Sequence, residues 1–137
     1  MKELIIAAAA ISGSAVAAAL GGWDAALQTL VMFMGVDYVT GLMLAGVFKK
    51  SKKSDSGTLS SRSSFEGLVK KGMQLLIVLI AARLDIIIEI DFVRTAVILA
   101  FICNELISIT ENAALMGIPI PDKLKKAIDV LNGGGKK

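Results

Sequence analysis

Histidine is absent from the 137-residue chain, and cysteine occurs once, as Cys103. The lack of histidine excludes catalysis by an imidazole base and every metal site that needs a histidine ligand. One cysteine cannot form an intramolecular disulfide or a cysteine-rich zinc site, and no histidine is present to activate it as a nucleophile. Aromatic residues make up 5% of the chain, too few for a surface that stacks nucleic-acid bases. We therefore predict a protein that is not an enzyme, needs no cofactor or metal ion and binds no nucleic acid.

Charged residues are also scarce, at 20%, whereas hydrophobic residues reach 55% and are concentrated in long runs. Because a helix of about 20 apolar residues crosses a bilayer, we predict four spans, at residues 4–22, 25–48, 72–90 and 94–116. The predicted fold is all-α: a multi-pass transmembrane bundle of four helices, with a short C-terminal amphipathic helix at the membrane interface. That helix covers residues 122–131 and ends the single domain 1–131, and a Gly/Lys tail occupies 132–137. Since the third and fourth runs carry charges, the alternative for them is an amphipathic hairpin that lies on the membrane surface or packs within protein.

Basic residues cluster in the connector 49–71 and near the C-terminus. Because positive residues remain on the cytoplasmic side of a membrane, this distribution predicts that the connector and both termini are cytoplasmic. All bases except Arg83 and Arg94 then lie on one side of a four-span protein. Serine and glycine are frequent in the connector, which predicts a solvated, flexible loop. Its cytoplasmic basic residues are Lys49, Lys50, Lys52, Lys53, Lys70 and Lys71.

Small residues recur at four-residue spacing in the first apolar run. Such a stripe lets two membrane helices approach closely, because packing rather than the hydrophobic effect holds helices together in lipid. Gly41 extends a similar small face on the second run. A chance result of the Ala-rich composition is the alternative for the first run, which also resembles a secretory signal peptide and is expected to be retained as a helix. The residues of the predicted helix-packing face are Ala9, Gly13, Ala17, Gly21 and Gly41.

Polar side chains interrupt three of the four runs. A charge near the bilayer centre is costly, so each should face protein or water rather than lipid. Two interpretations remain open: an Asp37–Arg83–Glu105 cluster that only holds helices in register, or a hydrated lumen formed after oligomerisation. The candidate intramembrane residues are Asp37, Arg83, Asp85, Asn104, Glu105, Ser108 and Asn112.

Several of these residues belong to short motifs that together resemble the phage holins of the toxin-secretion/phage-lysis family. The resemblance covers roughly residues 35–131, and the motif running from the fourth span into the proline turn is its most specific part. The motifs are Asp37-Tyr38-Val39-Thr40-Gly41, the Lys/Ser-rich loop, Gly67 with Lys70-Lys71, Asn104-Glu105-Leu106-Ile107-Ser108-Ile109 with Glu111-Asn112, Gly117-Ile118-Pro119-Ile120-Pro121, and Leu124-Lys125.

The resemblance implies a protein of the host bacterial cytoplasmic membrane that forms homo-oligomers. At a set time these open lesions that release a cytoplasmic endolysin, or in some relatives a large toxin, and the host lyses. Membrane lipid and further copies of the chain are then its partners, and the endolysin is a functional partner that it need not contact. The residues themselves leave two alternatives: a small multi-pass accessory or assembly subunit, or a narrow ion channel that uses Asp37 and Glu105.

Overall fold

Helices joined by short connections make up most of residues 1–133, which the computed structural model describes. Those residues contain no β-strand, so the predicted all-α fold is confirmed. The helices are α1 (Lys2–Ala19), α2 (Ala25–Met43, continued by a π-helical turn over Leu44–Phe48), α3 (Ser61–Ile88), α4 (Val93–Leu115) and α5 (Asp122–Leu131). The predicted pattern of four long helices and one short C-terminal helix is therefore present, although residues 134–137 of the predicted tail 132–137 lie outside the described residues.

Three of the four long helices are long and apolar enough to cross a membrane: α1, α2 with its π-helical turn, and α4. The fourth, α3, has 28 residues and is the longest. Its sequence contains Lys70, Lys71, Arg83 and Asp85, so its apolar part is short. The predicted span 72–90 thus differs from the other three, because only about half of this helix resembles a membrane segment.

The prediction of a flexible loop over 49–71 is wrong for its second half. Helix α3 begins at Ser61, where the Ser60 side chain caps the helix by accepting a hydrogen bond from the Ser63 N–H at 3.3 Å. A serine at this position supplies an acceptor that the first turn of a helix lacks. Lys70 and Lys71 therefore belong to α3 rather than to the basic loop.

The remaining connector, 49–60, is a turn with its own hydrogen bonds. The Ser51 N–H donates to the Gly57 carbonyl at 3.1 Å, and the Ser54 hydroxyl donates to the Thr58 carbonyl at 2.6 Å. Gly57 has a φ of 76°, and a Cβ there would lie 3.2 Å from the Lys49 carbonyl carbon. Only glycine fits this position without strain.

The hydrophobic core lies between α2, α3 and α4. Helix α4 packs against both of the others, and α2 and α4 form the most extensive contact. Each helix turns a stripe of large apolar residues inward, as close packing in a bundle requires. The buried residues of this core are Leu27, Leu30 and Met34 of α2, Val78 of α3, Ile98 and Ile102 of α4, and Leu20 from the turn after α1.

Helix α1 stands apart from this core. None of its 18 residues is buried, and a cavity of about 680 Å³ separates its inward side from Val31 of α2 and Leu75 of α3. A Cβ placed on Gly13 would meet no atom of residues 1–133 within 4 Å. The small residues Ala9, Gly13 and Ala17 therefore do not pack closely against another helix of the described chain, and their face is free.

The predicted fourth member of that face, Gly21, is not helical. It follows the end of α1 in a turn with φ 94°, and a Cβ there would lie 2.6 Å from the Arg94 Cδ and closer still to its Nε. The Arg94 side chain occupies this space because it donates to the Leu20 carbonyl at 2.6 Å and to the Gly22 carbonyl at 2.9 Å. Gly21 thus allows the Arg94 side chain to approach the backbone of this turn closely.

Arg94 is the centre of a polar cluster at this end of the bundle. Its guanidinium forms an ion pair with Asp24 at 2.7 Å. Asp85, predicted as an intramembrane residue, lies in the last turn of α3, and its carboxylate reaches the start of α4 and accepts hydrogen bonds from the Val93 and Arg94 N–H groups at 3.0 and 2.9 Å. A carboxylate in this position satisfies free N–H groups and complements the helix dipole. We call Arg94, Asp24 and Asp85 the Arg94 cluster.

Asp24 makes the stability of this end depend on pH. A hydrogen bond from the Arg94 guanidinium and another from the Leu27 N–H hold the pKa of the Asp24 carboxyl below its ordinary value of 3.8. A lowered folded-state pKa stabilises the fold above 3.8, and this contribution disappears as pH falls through the folded-state value. We expect the Tm difference between the parent and Asp24→Asn in detergent to be constant above about pH 5 and to shrink below 3.8. A difference that does not change with pH would contradict this role for Asp24.

Helix α5 folds back beside α4. Gly117, with φ 84°, turns the chain after α4, and Pro121 precedes the first residue of α5. Ile128 is buried against α4, with its carbonyl oxygen 4.0 Å from the Cys103 Sγ. The single cysteine is therefore a packing residue, and the lysines of α5 are exposed.

Candidate functional site

Three helices each contribute one charged side chain to a buried cluster midway along the bundle. The Lys71 ammonium of α3 lies 2.8 Å from the Asp37 Oδ2 of α2 and 2.7 Å from the Glu105 Oε2 of α4. The carboxylate side chains are 5% and 3% exposed, and that of Lys71 is 15% exposed. One ammonium thus bridges two carboxylates, and α2, α3 and α4 are joined at a single point.

Polar side chains of α4 complete the hydrogen bonding of Asp37. The Ser108 hydroxyl donates to its Oδ1 at 2.6 Å, and the Asn112 amide donates to the same oxygen at 3.2 Å. Asn112 also donates to the Thr40 hydroxyl at 3.0 Å. Buried charges persist when such partners surround them, and losing one partner is then costly. We call Asp37, Lys71, Glu105, Ser108 and Asn112 the Lys71 cluster.

The Lys71 cluster lies at mid-depth in the helices that could span a membrane. Asp37 is 12 residues beyond Ala25, and Glu105 is 12 beyond Val93, which places each about 18 Å from the start of its helix. Both helices therefore bring a carboxylate to the same level. At that depth it would be energetically unfavourable for either carboxylate to face lipid. Pairing with Lys71 instead keeps both carboxylates inside the bundle.

Arg83 does not join this cluster, contrary to the predicted Asp37–Arg83–Glu105 arrangement. It lies 12 residues beyond Lys71 on α3, about 18 Å along the helix, and its side chain is exposed. This difference between the predicted and the observed cluster is related to the residue at which α3 begins. Because the helix begins at Ser61 rather than near residue 72, Lys71 and not Arg83 is level with Asp37. The Ser60 cap was the signal in the sequence that could have revealed this.

Other predicted residues surround the cluster without joining it. Asn104 is exposed on α4 and lines a polar cavity together with Lys53 and Lys70. Gly41 faces Asn112, since a Cβ there would lie 3.9 Å from the Asn112 Nδ2 and from the Lys53 Nζ. Lys49, Lys50 and Lys52 are exposed in the connector.

The cluster has the chemistry of an ion-pair network rather than of a catalytic or metal site. Within residues 1–133, no group of three or more carboxylate or thiol side chains is placed to hold a metal ion. Both carboxylates are bonded to the Lys71 ammonium, and this arrangement fixes the relative positions of three helices.

The family to which the chain belongs is decided by comparison with known sequences. The pattern of the bacteriophage holin family matches residues 14–133, which include the Lys71 cluster and all of α2 to α5. The chain belongs to the bacteriophage holin family. Its relatives include the protein named "Probable holin" of Bacillus phage phi105, which is 34% identical over 106 residues, or 77% of this chain and 73% of the phage protein.

Bacterial proteins also resemble this holin-family chain. A 14.9 kDa protein of Clostridium perfringens, described as uncharacterized, is 40% identical over 114 residues, covering 82% of this chain and 80% of that protein. An uncharacterized protein of Halalkalibacterium halodurans is 35% identical over the full length of both chains. No solved structure matches the chain.

Proposed function

We propose that the chain acts as a holin that assembles into homo-oligomers in the cytoplasmic membrane of a host bacterium and opens lesions there. A cytoplasmic endolysin, or a large protein toxin, then crosses the membrane and the host lyses at a set time. The family match over residues 14–133 carries this proposal, and the phage relative named a probable holin supports it. The membrane-length helices α1, α2 and α4 are compatible with it.

In this proposal, the ion pairs of the Lys71 cluster stabilise the closed state of the protein. While the protein accumulates, Lys71 pairs with Asp37 and Glu105, so no charge of the cluster faces lipid. When copies assemble and the helices rearrange, the same side chains separate from one another, become fully hydrated and line the lesion. Because pairing and hydration are alternative ways to stabilise buried charges, a small free-energy difference between two packings can hold the closed state until concentration favours assembly.

Contact between copies would use the free face of α1. Within residues 1–133 the small residues Ala9, Gly13 and Ala17 have no close partner helix, and such residues allow two membrane helices to pack closely. In the proposed topology both termini and the basic connector are cytoplasmic, with the Arg94 cluster on the opposite side. The basic residues then lie next to the anionic cytoplasmic leaflet.

Induced expression in a bacterium, with and without a cytoplasmic muralytic enzyme, tests the proposal. With the enzyme, we expect culture turbidity to fall abruptly after a delay; without it, growth should stop and a cytoplasmic reporter enzyme should leak, without rapid lysis. Gly13→Leu should delay both events at unchanged membrane content, and Gly13→Ala serves as its control. Leakage of ions without the reporter enzyme would instead favour a narrow channel, and no leakage would favour an accessory subunit.

A further inference from the structure

The apolar core is shorter than a bilayer because charged clusters bound it at both ends. Asp37 is 13 residues beyond Asp24 on the same helix, and Glu105 is 11 residues beyond Arg94, distances of about 20 and 17 Å. A hydrocarbon core is about 30 Å thick. The residues of the hydrophobic core on α2, α3 and α4 lie between the Arg94 cluster and the Lys71 cluster. Beyond the Lys71 cluster, toward the connector, Leu44 and Ala45 are buried on α2, but the part of the bundle next to α3 is lined by polar side chains.

A cavity of about 260 Å³ occupies this polar part. It has room for several water molecules, since each occupies about 30 Å³ in the liquid. Its walls reach from the Lys71 cluster to side chains at the connector end, where Glu66 and Lys70 are exposed. Apart from Gly67, every residue of the lining is polar or charged, and among them are Asp37, Lys71 and Glu105 of the Lys71 cluster together with Lys70, Gln74 and Asn104.

Gln74 gives an independent indication of what this cavity holds. Its Oε1 is buried and accepts no hydrogen bond from any side chain or backbone group within residues 1–133. A buried amide oxygen without a partner is unfavourable, and an ordered water is its usual partner in a polar cavity. Gln74 lies in the cavity wall one turn beyond Lys71, so its position indicates water at the level of the cluster.

We propose that each protomer contains a water-filled half-channel that runs from the connector end of the bundle to the Lys71 cluster and stops there. The apolar layer that begins with Met34, Val78 and Ile102 closes it. The ligand of this site is water, together with small polar solutes that enter with it. The half-channel belongs to the single protomer, exists before any lesion forms and does not depend on the proposed holin function.

Cysteine reactivity in resting membranes tests this proposal, since a thiol reacts as the thiolate and therefore needs water. Asn104→Cys, placed in a Cys103→Ala background, reports on the cavity wall. Val36→Cys is the matched control, because Val36 precedes Asp37 at the same depth and its side chain is 46% exposed on the outer surface of α2. Ser56→Cys marks the connector side of the membrane, so the test needs no assumption about orientation.

With a small membrane-impermeant thiol reagent, we expect Asn104→Cys to be labelled from the side that labels Ser56→Cys, at least about tenfold faster than Val36→Cys. Equal, slow labelling of positions 104 and 36 would overturn the half-channel. Equal, fast labelling of both positions would also overturn it, because positions 36 and 104 would then both lie outside the membrane. The membranes must remain impermeable to the reagent throughout, which separates this result from lesion formation. If Cys103→Ala does not accumulate, the same variants are measured against the parent, whose Cys103 is buried.

Discussion

Lys71→Met is expected to destabilise the protein by about 3–5 kcal/mol, because it leaves two buried carboxylates without their shared positive partner. Asp37 and Glu105 are each bonded to the Lys71 ammonium at less than 3 Å and are almost fully buried. The midpoint of denaturant unfolding in a mild detergent measures the loss. In the lysis assay the same variant should change the lysis time, since the closed packing would lose its central ion pairs.

Lys70→Met is the matched control for this prediction. Lys70 is the preceding residue of α3, carries the same charge and is exposed, so its removal should change stability by less than about 0.5 kcal/mol. Adding Asp37→Asn and Glu105→Gln to Lys71→Met should recover part of the loss, because no unpaired charge then remains. Equal stability of the Lys70 and Lys71 variants would show that the cluster does not hold the helices together.

Gly21→Ala should cost about 2–4 kcal/mol, through a strained backbone and a clash together. The residue has φ 94°, and the new Cβ would lie 2.6 Å from the Arg94 Cδ. Arg94 cannot move away freely, because its guanidinium is bonded to Asp24 and to the Leu20 and Gly22 carbonyls. We therefore expect the variant to loosen the attachment of α1 to the bundle as well as to lower the unfolding midpoint.

Gly22→Ala separates the effect of backbone strain from the effect of the clash with Arg94. Gly22 has a similar φ of 109°, but a Cβ there would meet no atom within 4 Å, so this variant carries only the backbone strain. Arg94→Ala combined with Gly21→Ala should cost less than the sum of the single changes, because the clash partner is gone. Strict additivity would contradict the proposed contact between Gly21 and Arg94.

Much of the architecture follows from local sequence. Long apolar runs predict helices in a membrane protein because helices satisfy every backbone hydrogen bond internally, and α2 with its π-helical turn ends at Phe48, the end of the predicted run. Helical spacing alone places Glu105, Ser108 and Asn112 on one side of α4, and all three lie at the cluster in the structure. A charged residue in an apolar run is also expected to face protein or water rather than lipid, and the sequence predicted this for Asp37.

The identity of the partner of Asp37 was decided by the tertiary structure. Lys71 is separated from both Asp37 and Glu105 by 34 residues in the chain, so no periodicity relates them. Their meeting depends on where α3 begins and on how three helices pack side by side. Helix α3 begins at Ser61, after the Ser60 cap and eleven residues before the predicted span, and in this longer helix Lys71 rather than Arg83 is level with the acids. The composition of the runs determined that buried charges must pair, whereas the register between the packed helices determined which of them do.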